Sequence, residues 1–113
     1  MNIRFLGSMG GAGWYTMSWH VNDERVVSFD VWYYPIDHIL TDFIEKSGLE
    51  YGTVDDVKEI CENVISSLEY CEREQFVKDM YLEELQRKGD NLYLNIYNRL
   101  HPKTQKEPLI RFE

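Results

Sequence analysis

The sequence predicts an α+β domain: an antiparallel sheet with two or three helices packed on one face, in the order βββ-αα(α)-ββ. Three observations carry this. The first third of the chain alternates apolar and polar residues with period two, the middle third repeats its apolar residues every three or four positions, and residues 92–100 return to alternation. At 113 residues and 43% hydrophobic, the chain has the length of one domain and too much large apolar surface to stay disordered. Residues 1–113 are read as a single domain without repeat or linker.

The N-terminal elements are read as a three-stranded meander. Ile3 to Leu6 makes a short strand, and the cluster Gly7-Ser8-Met9-Gly10-Gly11-Ala12-Gly13 reads as the loop that follows. From Trp14 to Val21, Tyr15, Met17, Trp19 and Val21 share one side while Trp14, Thr16, Ser18 and His20 share the other. Asn22-Asp23-Glu24 carries turn chemistry, and Val26 to Tyr34 is a run of strand formers. Short connections favour antiparallel neighbours.

Pro35 suits the first turn of a helix. Ile36, Ile39, Leu40, Phe43 and Ile44 then recur at helical spacing, and Gly48 is placed to end the element. A long helical stretch begins at Thr53, with Asp55 and Asp56 where carboxylates complement free N–H groups, and meets no glycine or proline until Gly89. Val57, Ile60, Cys61, Val64, Leu68 and Cys71 share one face; Val77, Met80, Tyr81 and Leu85 share another. At about 100° per residue the apolar centre rotates by more than a quarter turn around Glu72 to Gln75, which predicts a break there. Failing a break, the second face would pack on a different surface or form a dimer seam. In the tail, Leu92, Leu94, Ile96 and Leu100 alternate with Tyr93, Asn95, Tyr97 and Arg99, predicting a strand. The segment from His101 to Pro108 reads as a loop and Leu109 to Phe112 as a last strand.

Cys61 and Cys71 lie ten residues apart in a helical pattern. Ten helical residues span roughly 15 Å, against the roughly 4.4–6.8 Å between Cα atoms that a disulfide allows. Both are read as reduced, buried apolar residues. The uncharged run after Arg4 is too rich in glycine and serine for a secretory leader or a membrane span, so a cytoplasmic location is expected.

Net charge is −8 and unevenly spread. Residues 37–84 hold fourteen acidic and four basic side chains, whereas residues 85–113 hold three acidic and six basic ones. The middle segment should repel nucleic acid and anionic membranes and attract basic proteins.

Catalytic and ligand motifs are sparse. The glycine cluster lacks the Gly-Lys-Ser/Thr of a phosphate loop and precedes a strand, not the helix a dinucleotide fingerprint requires. His20, His38 and His101 are isolated, so no metal and no cofactor are expected. Asp30 and His38 are the one pair that could do acid–base work, and Trp14, His20, Asp30 and Trp32 with the glycine loop could line a small-ligand pocket.

The surplus carboxylates carry the main functional expectation. On a helical wheel Asp55, Glu59, Glu62 and Glu69 cluster opposite the apolar stripe, with Asp42 and Glu45 before them and Glu72 and Glu74 after them. Tyr70 sits among them as an interface anchor. In type, without a shared motif, the chain resembles the small acidic inhibitors that neutralise basic nucleases, such as immunity proteins of bacterial toxin systems and phage inhibitors that imitate nucleic-acid charge. That resemblance implies a non-enzymatic antitoxin that occludes a toxin's active site, with a basic protein as partner. A homodimer, a nucleic-acid mimic and a small-ligand protein are the alternatives.

Overall fold

The computed structural model describes residues 1–12, 14–31 and 34–102. Strands β1 (Ile3–Gly11), β2 (Trp14–Val21) and β3 (Arg25–Asp30) form one antiparallel sheet in the order β1-β2-β3. The alternation read from the sequence is the one observed: Met17, Trp19 and Val21 of β2 and Val27 and Phe29 of β3 are buried on one face. Asn22 and Asp23 turn the chain with φ of 53° and 56°, and the Glu24 N–H closes the turn on the Val21 carbonyl at 3.1 Å. Paired positive φ values match the twist of the strands they join, and Asn and Asp tolerate them better than other side-chain-bearing residues.

The glycine cluster corrects the sequence reading. Gly7, Gly10 and Gly11 belong to β1, not to a loop. Gly7, at φ 151°, sits at the irregularity where the register shifts between Phe5 and Gly7. Gly10 and Gly11 pair with Tyr15 and Trp14, and a Cβ on either would lie 2.7 Å from the ring across the strand. The glycines make room for aromatic rings in the ladder, a cross-strand effect that local turn statistics cannot register.

Four helices follow: α1 (Ile36–Ser47), α2 (Val54–Ser66), α3 (Gln75–Lys88) and α4 (Asn91–Leu100), with a single 3-10 turn at Glu72–Glu74 before α3. Pro35 occupies the N-cap of α1, and Gly48 ends it at φ 76°, where its absent Cβ would stand 3.1 Å from the Arg25 guanidinium. The predicted break between the two apolar faces is present, but it opens earlier, at Ser67–Tyr70. Both faces are used inside the molecule. Val77 and Tyr81 are buried, and Met80 and Leu85 pack against the same core, so the face considered as a dimer seam is core. Cys61 and Cys71 are free; Cys61 is buried as expected and Cys71 only half-buried, because the helix has already ended before it.

The predicted strand at Leu92–Leu100 is a helix, α4. Period two placed Leu94 inside and Tyr93 outside; in fact Leu94 is 43% exposed and Tyr93 2%. The buried set Leu92, Tyr93 and Ile96, with Tyr97 and Leu100 packed against the core, is a helical stripe. Counting tyrosine as a surface residue hid it. The expected final strand at Leu109–Phe112 lies outside the described residues.

Trp19 is the centre of the core, at 1% exposure. Its ring lies 5.2 Å from Phe5 of β1, 5.3 Å from Phe29 of β3 and 5.4 Å from Phe43 of α1. Deeper among the helices, Tyr81 of α3 and Tyr93 of α4 share a hydroxyl–hydroxyl hydrogen bond of 2.6 Å. Among the described residues every buried side-chain nitrogen or oxygen has a partner, as expected when a lost hydrogen bond costs about 1–3 kcal/mol.

Burial raises the hydroxyls of Tyr81 and Tyr93 and the thiol of Cys61 above their ordinary values. The unfolded chain would release these protons first, so the neutral forms stabilise the fold fully below the ordinary thiol and tyrosine range and less above it. The urea midpoint should therefore hold steady up to about pH 8 and fall progressively toward about pH 11. A midpoint that stays level across that range would contradict the buried hydroxyl pair. For α4, Asn95→Ala at an exposed mid-helix position should stabilise by about 0.5 kcal/mol and Asn95→Val should not, whereas a strand would reverse the order. Chemical denaturation of the two variants measures this.

Candidate functional site

The acidic surface is built on α2. Thr53 caps it reciprocally: its Oγ1 accepts the Asp56 N–H at 3.1 Å and its own N–H donates to Asp56 Oδ2 at 3.2 Å. This arrangement satisfies two end groups and fixes where the helix starts. Val57, Ile60, Cys61 and Val64 are then buried, which turns Asp55, Glu59 and Glu62 to solvent. The single basic residue of α2, Lys58, stands 5.9 Å above the Tyr93 ring. Among the described residues no ion pair reaches Asp55, Glu59 or Glu62.

Beyond Ser66 the chain leaves the helix. The Ser67 hydroxyl accepts the Trp19 indole N–H at 2.8 Å and donates to the Val64 carbonyl, while Leu68 and Glu69 make tighter three-residue backbone bonds. Leu68 is buried, and two residues later Tyr70 is 90% exposed. Glu69, Tyr70, Cys71, Glu72 and Gln75 border a shallow hollow of about 420 Å³. An exposed tyrosine therefore stands in the turn after α2, flanked in the chain by Glu69 and Glu72. No family model, curated protein or solved structure matches this chain. What the surface can do is read from its geometry.

Six of the eight residues singled out from the sequence lie on this helix and turn: Asp55, Glu59, Glu62, Glu69, Tyr70 and Glu72, all exposed. Glu69 is not on the helical wheel with the others, because α2 ends at Ser66; it reaches the surface through the turn. The other two lie elsewhere. Asp42 and Glu45 line a groove between α1 and β3 together with Asp30 and His38, and Asp42 is held by Lys46 at 2.9 Å. The sheet explains the separation, since α1 packs toward β3 and α2 toward β1, the opposite edge.

Glu74 is also removed from the negative field. It is 3% exposed, and its Oε2 accepts hydrogen bonds from Ser8 Oγ at 2.6 Å and from the Tyr15 hydroxyl. Burial and the Glu74 carboxylate both raise the Tyr15 hydroxyl above its ordinary value. Arg73 lies 5.8 Å from the Tyr15 ring. This cluster ties the β1–β2 hairpin to the start of α3 and was not anticipated. Its members are separated by 59 and 66 positions, and no local pattern couples them.

The small-ligand reading does not gather its residues. Trp14 borders a hollow of about 410 Å³ with Leu6, Gly7, Ser8, Met9, Thr16 and Ser18. His20 instead meets Arg4 at 2.8 Å and Asp23 at 3.7 Å. Asp30 accepts the Thr16 hydroxyl at 2.5 Å and faces the α1 groove, and Trp32 lies outside the described residues. Among the described residues no three histidine, cysteine or carboxylate side chains converge on a metal position, and no helix is long and apolar enough to cross a membrane.

Replacing Glu74 by alanine should leave the Tyr15 hydroxyl only Ser8 Oγ, at 2.8 Å, strand the Ser8 hydroxyl proton and cost about 2 kcal/mol. Hydrogen exchange should then accelerate in β1 and β2 ahead of α4. Uniform acceleration across all the elements would show that Glu74 does not act as the hairpin's tether.

Proposed function

We propose that this chain is a binding protein that grips a basic protein surface with the outer face of α2 and the turn that follows, Tyr70 being the apolar anchor. The observation that carries the reading is a 90% exposed tyrosine flanked in the chain by Glu69 and Glu72, just after a helix whose exposed Asp55, Glu59 and Glu62 are in no ion pair among the described residues. Side by side, such carboxylates repel, and like charges one turn apart cost a helix a few tenths of a kcal/mol each. A cationic surface reverses the sign of that interaction and accelerates encounter. A tyrosine adds large contact area at small entropic cost, as is typical of residues that dominate interfaces.

The partner class that fits best is a basic nuclease toxin, which the chain would neutralise as an immunity protein or antitoxin. The carboxylates of Asp55, Glu59, Glu62, Glu69 and Glu72 would take the places of substrate phosphates and close the toxin's active site. No catalytic group of this chain is used. Exposed charges act mainly through the association rate, and Tyr70 through the lifetime of the complex.

Pull-down from a native lysate at low salt should recover a basic protein; recovery of general chaperones alone would count against the reading. Against that partner, the triple variant E59K/E62K/E69K should lower the association rate by about ten- to a hundredfold while leaving the circular dichroism unchanged. Tyr70→Ala should instead raise the dissociation rate, costing about 2 kcal/mol of affinity. Unaltered kinetics in the triple variant would place the interface elsewhere.

A further inference from the structure

The groove between β3 and α1 is built differently from the acidic face of α2. Val31 N–H bonds to the Tyr15 carbonyl at 2.9 Å, which sets the phase of the β2–β3 ladder. Phe29 pairs with Met17 and Val27 with Trp19 in the same phase as that bond, so their backbone groups point toward β2. Val26, Ser28 and Asp30 occupy the alternate positions, and their N–H and C=O groups point away from the sheet along its open edge. The short contact of 2.7 Å between the Ser18 and Ser28 hydroxyls agrees, since side chains come closest at positions of this kind. Among the described residues no other strand pairs with β3.

Along this edge runs a groove of about 630 Å³, with Ser28, Phe29 and Asp30 on one side and His38, Asp42 and Glu45 of α1 on the other. An unpaired strand edge facing a helix has the form of a receptor for an extended segment. We propose that the groove takes an extended basic peptide, a segment of a partner protein with lysine or arginine at alternate positions, as a fourth strand beside β3. Alternate side chains of a strand point to opposite faces. One set of the guest's side chains would therefore face α1 and meet Glu45, and the other would lie over the outer face of the sheet near Asp30. Lys46 and Arg99 also border the groove, but they are already engaged, Lys46 by Asp42 at 2.9 Å and Arg99 by Asp37 at 3.6 Å. Asp30 and Glu45, in no ion pair among the described residues, are the carboxylates left over, and they set the sign of the guest. This site does not rest on the role assigned to α2.

The test is fluorescence anisotropy at about 0.15 M salt, where charges more than roughly 8 Å away are screened, using the full chain and a labelled peptide of alternating lysine and valine. Binding is expected. Methylating the peptide's alternate backbone nitrogens on the ladder side should weaken it at least about tenfold, and so should D30N/E45Q. Ser28→Pro removes one outward N–H without touching the β2–β3 ladder and should weaken it similarly, because proline is tolerated at an edge. E59K/E62K/E69K should leave it unchanged. Absence of binding, equal binding of the methylated peptide, indifference to D30N/E45Q, or loss of binding in the α2 variant would each overturn the proposal. So would a dimer by light scattering that Ser28→Pro converts to monomer, since the occupant of the edge would then be a second copy.

Discussion

Trp19 holds the separate parts of the molecule in one arrangement. Its ring is in contact distance of Phe5, Phe29 and Phe43, one aromatic from each outer strand and one from α1, and its N–H reaches Ser67 where α2 stops. An indole buried to 1% exposure must place that N–H against an acceptor or lose its hydration without compensation. Ser67 supplies the acceptor. The same bond that satisfies the core tryptophan thus helps fix where the acidic helix ends and where the following turn emerges. The exposed position of Tyr70 follows from a requirement of the core.

The carboxylates divide by what they touch. Glu74 and Asp37 are buried and used in the fold, the first bonded to Ser8 and Tyr15, the second to the first turn of α1 and near Arg99. Glu84 lies between Arg87 and Lys88 on α3. Asp55, Glu59, Glu62, Glu69 and Glu72 are exposed, and among the described residues none has an ion-pair partner. Net charge treats all of these alike. The last five lie together on one helix and the turn after it, whereas Asp30 and Glu45, also exposed, border the groove between β3 and α1.

The strand Trp14–Val21 with its inward face and the helix at Ile36–Ser47 were legible because each has a strong period of its own, closed by turn or cap residues. The first and third strands were found but not their ends, read at Leu6 and Tyr34 and observed at Gly11 and Asp30. Two elements were misread for physical reasons. Leu92–Leu100 satisfies period two if tyrosine is counted as polar and period 3.6 if it is counted as apolar; burial of Tyr93 against α3 decides between them. Gly10 and Gly11 resemble a loop until the rings of Tyr15 and Trp14 are placed across from them. The candidate site was half legible: spacing found the exposed row on α2, but it also included Asp42, Glu45 and Glu74, whose surroundings are set by distant strands.

By itself the sequence determined the α+β class, the inward face of the sheet, the capped start of α2 and the concentration of negative charge in the central helices. These follow from interactions between residues a few positions apart. Tertiary structure alone decided that the chain leaves the helix at Ser67, that residues 91–100 coil into α4, that Glu74 is withdrawn into the fold and that, among the described residues, no strand pairs with the outer edge of β3 beside α1. Each of these depends on which surfaces meet, and packing partners far apart in the chain leave no mark in local periodicity.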